Sequence, residues 1–265
     1  MTADGRELPA HDIAVWRPRA SRHVVCIFVI NEGERLHRQL TRMAAVGHGL
    51  DVIVADGGST DGSTRRERLE PLGGRALLTK RGPGGLSAQM RMAFAHALDE
   101  GYEGVITIDG NDKDDPAALP AFAAAIDRGV DHVQGSRYLP GGHHEHTPLL
   151  RHLGVRLLHA PMISRAAGVR YTDTTNGFRA YSAAFLRDPR VAPFREVFSR
   201  YELHYYLAIR AGELGYRVEE LPVTRRYPPR GKVPTKISPL RGSLRVLATL
   251  WRACQHRYDP ASSAP

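Results

Sequence analysis

Cysteine, long apolar runs and, near the end of the chain, acidic residues are what this sequence is short of. It has two cysteines, Cys26 and Cys254, in 265 residues. One lies in a run of strand formers and the other in a late helical pattern. That excludes a disulfide framework or zinc cluster and suits two free thiols in a reducing cytoplasm. The longest strongly apolar run, Val24 to Ile30, has seven residues, against the roughly 20 needed to span a bilayer. Met1 to Ala20 mixes Asp4, Glu7, His11 and Asp12 with no apolar centre, so it does not read as a secretory signal.

From Leu221 to Tyr258 there is no Asp or Glu. That stretch holds nine of the 37 Lys and Arg residues, so the other 28 balance the 28 acids and the net charge of +9 is local. An anionic partner is expected there: a diphosphate, a lipid phosphate or an anionic membrane surface. Nucleic acid is not expected, since the ten tyrosines do not interleave with the basic residues and no nucleic-acid fold signature is present.

What is present is alternation. His23 to Ile30, Leu50 to Ala55, Ala76 to Thr79 and Gly104 to Ile108 read as buried strands, with helical patterns over Glu32 to Ala45 and Gly85 to Leu98 between them. Such spacing predicts an α/β fold with a mostly parallel sheet covered on both faces. Ligands bind at the carboxyl ends of such strands, where Asn31-Glu32, Asp56 to Ser63 and Asp109 to Asp115 all fall. Further on, Pro116 to Arg128 and Glu196 to Gly215 read as helices, and Val130 to Gly135 and Arg217 to Val223 as strands. Ile237, Leu240, Leu244, Leu247, Trp251 and Cys254 recur at helical spacing, predicting an amphipathic C-terminal helix.

Asp109-Gly110-Asn111 puts two oxygen-bearing side chains on a turn after a strand, an arrangement suited to a hard cation that bridges a diphosphate. A solvated Asp/Asn turn is the plainer reading of the same residues. In Asp56 to Ser63 the glycines permit close backbone approach, and Asp56 can accept from a base or ribose. Arg81 to Ser87 is a Gly-rich loop feeding a helix N-terminus, where amides favour an anion, although it lacks the spacing of a P-loop or dinucleotide fingerprint. His143, His144 and His146 resemble a metal cluster by composition but read better as a solvated loop on the acceptor side.

Asn31-Glu32, ADGGSTDGS, the strand-terminal Asp-x-Asn, GSRY (Gly135 to Tyr138), DTTNGFRAYS (Asp173 to Ser182) and GYRVEELPV (Gly215 to Val223) occur in one order. In that order the chain, over residues 22–237, resembles the family 2 glycosyltransferases, nearest to their polyprenyl-phosphate branch typified by dolichyl-phosphate mannose synthase. The resemblance implies a GT-A fold, a Rossmann-like mostly parallel sheet with flanking helices, and inverting, metal-dependent transfer of a hexose from a UDP- or GDP-linked donor. It implies nucleotide contacts from Asn31, Glu32, Asp56, Gly58, Ser59, Arg81, Gln89 and Asp109. Mg²⁺ or Mn²⁺ would be held by Asp109, Asn111 (where the second acid usually stands) and His204. Arg137, Asn176, Arg179, Arg226, Arg230, Lys232 and Lys236 would line the phosphate and acceptor side. Asp109, Glu202 and Asp173 are the implied catalytic carboxylates, Glu202 or Asp173 serving as base if the acceptor is a hydroxyl.

The expected organisation is an N-terminal extension (1–21), a nucleotide-sugar half (22–115), an acceptor-side half (116–235), a basic amphipathic helix (236–258) and a disordered tail (259–265). The expected acceptor is a polyprenyl phosphate, or a hydroxyl on a polyprenyl-linked glycan, in envelope polysaccharide assembly. The enzyme would work in the cytoplasm, peripherally on the inner face of an anionic membrane and as a homodimer. The alternatives are a soluble glycosyltransferase acting on a secondary metabolite and, from another class, a sugar-nucleotide nucleotidyltransferase. The latter is disfavoured because Asn31-Glu32-Gly33-Glu34 stands where its basic Gly-rich loop would be.

Overall fold

The computed structural model describes residues 5–228 and 241–261. The elements run β1 (His11–Val15), β2 (His23–Val29), α1 (Glu34–Val46), β3 (Asp51–Asp56), α2 (Arg66–Leu69), β4 (Gly74–Lys80), α3 (Leu86–Asp99) and β5 (Gly104–Asp109). Then come α4 (Leu119–Asp127), β6 (His132–Ser136), β7 (His143–Glu145), α5 (Leu149–Gly154), a π turn and α6 (Ala160–Ala167). Next follow β8 (Arg179–Ser182), α7 (Ala183–Arg187), α8 (Glu202–Glu213), β9 (Val218–Pro222), β10 (Thr224–Arg226) and α9 (Arg241–Cys254).

The main sheet has the order β1-β4-β3-β2-β5-β8-β6-β9. β4, β3, β2 and β5 pair in parallel, β8 is antiparallel to both neighbours, and β1 is an antiparallel edge. Every residue of central β2 is buried, because both faces are covered. Val24, Cys26 and Phe28 enter one core with α3, α6 and α8, while Val25, Ile27 and Val29 enter the other with α1 and α4. The chain builds outward from β2 to β4 and then returns to place β5 on β2's other side. The crevice at the carboxyl ends of β2 and β5 is therefore the switch point of the sheet.

Three features depart from the sequence reading. His11–Val15, inside the expected extension, is a sheet strand in register with Ala76 to Lys80. The helix expected from Glu196 begins at Glu202, since Ser199 and Arg200 give their carbonyls to the amides of α3 instead of to a turn of their own. The expected C-terminal helix forms as α9, but of the described residues in its apolar stripe only Cys254 packs against the core. Leu250 and Ala253 pack inward, whereas Leu244, Leu247 and Trp251 are exposed. Arg230, Lys232, Lys236, Ile237, Leu240 and most of the 259–265 tail lie outside the described residues. Among those described, no helix is long and apolar enough to cross a membrane.

Candidate active site

The loops after β2 and β3 are bound to each other before any ligand is considered. Asn31, in the left-handed region (φ 49°), accepts the Thr60 amide at 2.8 Å, and its own amide donates to Ser59 Oγ at 2.9 Å. Gly33 N donates to Asp61 at 2.9 Å, and Glu32 pairs with Arg35 at 2.9 Å. Asp56 is buried, and its Oδ1 accepts from the amides of Gly58 (3.1 Å) and Ser59 (2.9 Å) and from Ser59 Oγ (2.6 Å). Its Oδ2 accepts from Thr64 Oγ1 at 3.2 Å. Gln89 reaches from α3 to the carbonyls of Val29 and Ala55, both at 2.9 Å, fastening the ends of β2 and β3. Asp56, Ser59 and Gln89 thus shape the crevice wall, and Gly58 supplies a turn at φ 98°.

Asp109 closes β5. Its carboxylate Oδ2 accepts from Arg225 Nη2 at 2.9 Å and from Asn111 Nδ2 at 3.3 Å. Its Oδ1 lies so close to Gly177 that a Cβ there would come within 2.9 Å. Burial opposes its ionisation, but Arg225 foremost, with Lys113 behind it, holds the carboxyl below the usual range. Asn111 Oδ1 is buried with no hydrogen-bond partner. An orphaned amide oxygen beside a carboxylate is a donor set that suits Mg²⁺ or Mn²⁺. His204 lies near enough to influence Asp109, and burial drives its imidazole down to about 3, so it is neutral as a ligand must be. Among the described residues the one cluster of three acidic or histidine ligands is Glu213, His256 and Asp259, on α8 and beyond α9. The His143 loop forms β7 and no metal cluster.

Several expected ligand contacts are otherwise engaged. Asp173, read as a base, forms a buried two-pronged pair with Arg137, Oδ2 to Nε at 2.6 Å and Oδ1 to Nη2 at 2.9 Å. Burial works against its charge, yet Arg137 keeps it well below the ordinary range, which makes it a poor proton acceptor. Arg179 spends its guanidinium on backbone carbonyls of Asn176 (3.0 Å), Thr174 (2.7 Å) and His204, tying the 174–176 loop to α8. In this structure it acts as a strut between that loop and α8. Asn176 accepts from Phe178 N and from Arg225.

Glu202 and the Gly-rich loop meet at one joint. Glu202 accepts the amides of Ser199 (3.0 Å) and Arg200 (2.5 Å). The carbonyls of those two residues in turn cap Gly85 N (2.8 Å), Ser87 N (2.7 Å) and Ala88 N (3.3 Å), and Leu203 N donates to Ser87 Oγ at 3.1 Å. Two helix N-termini thus satisfy one another. The amides that should have welcomed an anion are occupied, and Glu202 is the carboxylate that organises the joint. Arg81 turns outward to Asp12 of β1 at 2.7 Å.

Sequence reasoning counted Arg225 in the basic run and set Lys113 behind the Asp-x-Asn turn without finding the partners of either, and it passed over Tyr227. Arg225 is buried and forks between Asp109 and Asp114, the latter at 2.5 Å from Nη1. Asp114 is itself fully buried, and desolvation raises its pKa despite Arg225. Tyr227 carries Lys113 Nζ at 5.2 Å from its ring centroid and Arg151 at 5.5 Å, and its hydroxyl accepts from Arg151 at 3.1 Å. The signal was a period of two: Val223, Arg225 and Tyr227 are buried while Thr224 and Arg226 are less so. Arg226 is half-exposed and pairs with Asp115 and Glu145.

With this geometry in view, the likenesses to other proteins are specific. The family model described as "Glycosyl transferase family 2" matches residues 24–190. The undecaprenyl-phosphate mannosyltransferase of Micrococcus luteus is 30% identical over 216 residues, spanning 77% of this chain and 83% of that protein. The polyprenol monophosphomannose synthase of Mycolicibacterium smegmatis is 29% identical over 217 residues, 80% of each. Among solved structures, glucosyl-3-phosphoglycerate synthase from Mycobacterium tuberculosis, crystallised with Mn²⁺, UDP and glucosyl-3-phosphoglycerate, superposes with a TM-score of 0.60. It covers 91% of this chain and 81% of that one at 19% identity, a likeness of fold.

Proposed function

Because the chain belongs to glycosyl transferase family 2, and to its polyprenyl-phosphate branch, we propose that this glycosyltransferase moves a hexose from a nucleoside diphosphate to a polyprenyl phosphate. The observation that carries the proposal is the pairing of Asp109 with the orphaned Asn111 oxygen at the sheet's switch point, beside the wall built by Asn31, Asp56 and Ser59. A divalent ion bound there would neutralise charge growing on the leaving diphosphate. Asp109, Asn111 and His204 are the residues that fit it. Gly58, Ser59 and the Asn31 turn provide the surface against which a base and ribose rest.

The choice of acceptor follows from which groups remain free. A hydroxyl acceptor needs a base, yet Asp173 is committed to Arg137 and Glu202 to two backbone amides. A phosphate is already an anionic nucleophile and needs none. Cationic groups gather where it would approach: Arg137 and Arg156 lie 5.4 and 5.9 Å from the Tyr138 ring centroid, and Lys113, Arg151 and Arg225 surround Tyr227. The helical stretch next to them displays Leu149, Leu150, Leu153 and Leu157 to solvent, with Arg151 and Arg156 interspersed among them. An apolar face with a basic flank suits peripheral contact with an anionic bilayer, from which a lipid-linked acceptor is drawn.

Calorimetric titration of UDP, GDP and their sugar conjugates, with and without Mn²⁺, tests the donor site. Metal-dependent binding of one nucleotide is expected, with loss in Asp109→Ala. Nucleotide binding that ignores both metal and Asp109 would sink the reading.

A further inference from the structure

We propose that Arg225 is the resident counter-cation of Asp109, holding a carboxylate oxygen that a divalent ion would otherwise take. The ion therefore binds tightly only together with the donor diphosphate. This inference rests on the reading of Asp109 and Asn111 as the metal site.

Arg225 reaches Asp109 from a fixed backbone. β10 pairs in parallel with β7, Thr224 to Arg226 against His143 to Glu145. On its other side Arg226 N donates to Lys113 O at 2.7 Å and Asp115 N to Thr224 O at 3.0 Å. The side chain is 7% exposed. Its fork meets Asp109 Oδ2 at 2.9 Å and Asp114 Oδ2 at 2.5 Å, with Asn176 Oδ1 at 3.3 Å and the Tyr227 ring centroid 5.9 Å away. A second carboxylate holding the other arm explains why the arginine stays in place.

Charge then decides the affinity. Hard dications bind more tightly as the number of anionic ligands rises. Asn111 brings an oxygen without charge, and Arg225 offsets the charge of Asp109. A free ion therefore finds little net attraction and must compete for Oδ2. A nucleoside diphosphate changes both terms. It adds anionic oxygens, and it offers Nη2 of Arg225 an acceptor in exchange for Asp109, while the Asp114 contact can persist. Metal and donor must consequently strengthen one another by the same factor.

The test is Mn²⁺ binding to the purified full chain, followed by loss of the free-ion EPR signal, with and without UDP or GDP. The proteins are wild type, Asp109→Asn, Arg225→Gln and Arg225→Gln/Asp114→Asn. The double variant removes the buried carboxylate that the single one strands, and circular dichroism checks that each is folded. Both arginine variants should bind Mn²⁺ alone at least about tenfold tighter than wild type and gain less from nucleotide, within the usual 5–150-fold range of such couplings. Unchanged or weaker Mn²⁺ binding in the variants, with Asp109-dependent binding intact in wild type, overturns the role of Arg225. So does a wild-type Mn²⁺ affinity that nucleotide leaves unaltered, a result that needs no variant. If wild type shows no Asp109-dependent Mn²⁺ binding with either nucleotide, the metal-site reading itself falls and takes this inference with it.

Discussion

Replacing Asp173 with Asn tests whether this carboxylate is a base or a support for Arg137. The pair is 0% and 2% exposed and joined by two contacts of 2.6 and 2.9 Å. The same carboxylate also accepts from Thr175 N at 3.1 Å and Arg137 N at 3.3 Å. Removing one charge from a buried ion pair strands the other in low dielectric and costs about 3–5 kcal/mol. That is a large part of the roughly 5–15 kcal/mol that holds a domain folded. With a urea slope near 3 kcal/mol/M, the unfolding midpoint of Asp173→Asn should fall by about 1–2 M. Arg137→Met should cost a similar amount, and Arg137→Met/Asp173→Leu much less than the two added, because no charge is left unpaired. The assay is urea denaturation followed by circular dichroism. Asp173→Asn within about 0.5 kcal/mol of wild type, with strictly additive single variants, would refute the argument and return Asp173 to the list of candidate bases.

Glu202→Gln keeps the shape of the cap but loses its charge, so stability should drop by about 1 kcal/mol and sugar transfer by less than about tenfold. A loss of about 10²–10⁴ would instead mark a general base. Burial, with Arg179 adding to it, pushes the His132 imidazole from the ordinary 6.5 down to about 3. Between those values the unfolded chain binds the extra proton, so stability rises with pH and is lost on acidification, at about 1.4 kcal/mol per pH unit for this group. His132→Phe should flatten the dependence of the urea midpoint on pH in that window by one proton; an unchanged slope would mean the ring is not held neutral. Leu150→Glu/Leu157→Glu should cut co-sedimentation with anionic phosphatidylglycerol vesicles by more than about tenfold. Equal binding, or none by wild type, would remove the membrane contact.

The parallel core of the fold could be read from local pattern. β2, β3 and β5 are short β-branched runs broken by Gly and Asp turns, and such runs declare themselves because a strand buried on both faces needs no distant information to be apolar. Their order along the chain also located the crevice, since loops at the carboxyl ends of parallel strands converge wherever the sheet goes. The antiparallel insertion of β8 was not legible, nor was the edge strand β1. Both depend on which neighbour accepts their hydrogen bonds, and RAYS and HDIAV are as compatible with loops.

At the site, residue types pointed to the place but not to the partners. Asp109 and Asn111 share a turn, so their nearness is a local property of the chain. Asp173 with Arg137, Glu202 with the Ser199 and Arg200 amides, and Arg225 with Asp109 are meetings across 36, 2 to 3, and 116 residues. Even the short-range Glu202 contact gains its meaning only because Ser199 and Arg200 turn their carbonyls to α3. Sequence by itself determined that carboxylates, amides and arginines would crowd the end of this sheet. Only the tertiary structure decided which of those charges neutralise one another and which are left for a ligand. The free energy of a buried charge depends on the groups within a few ångströms in space, and chain spacing does not report them.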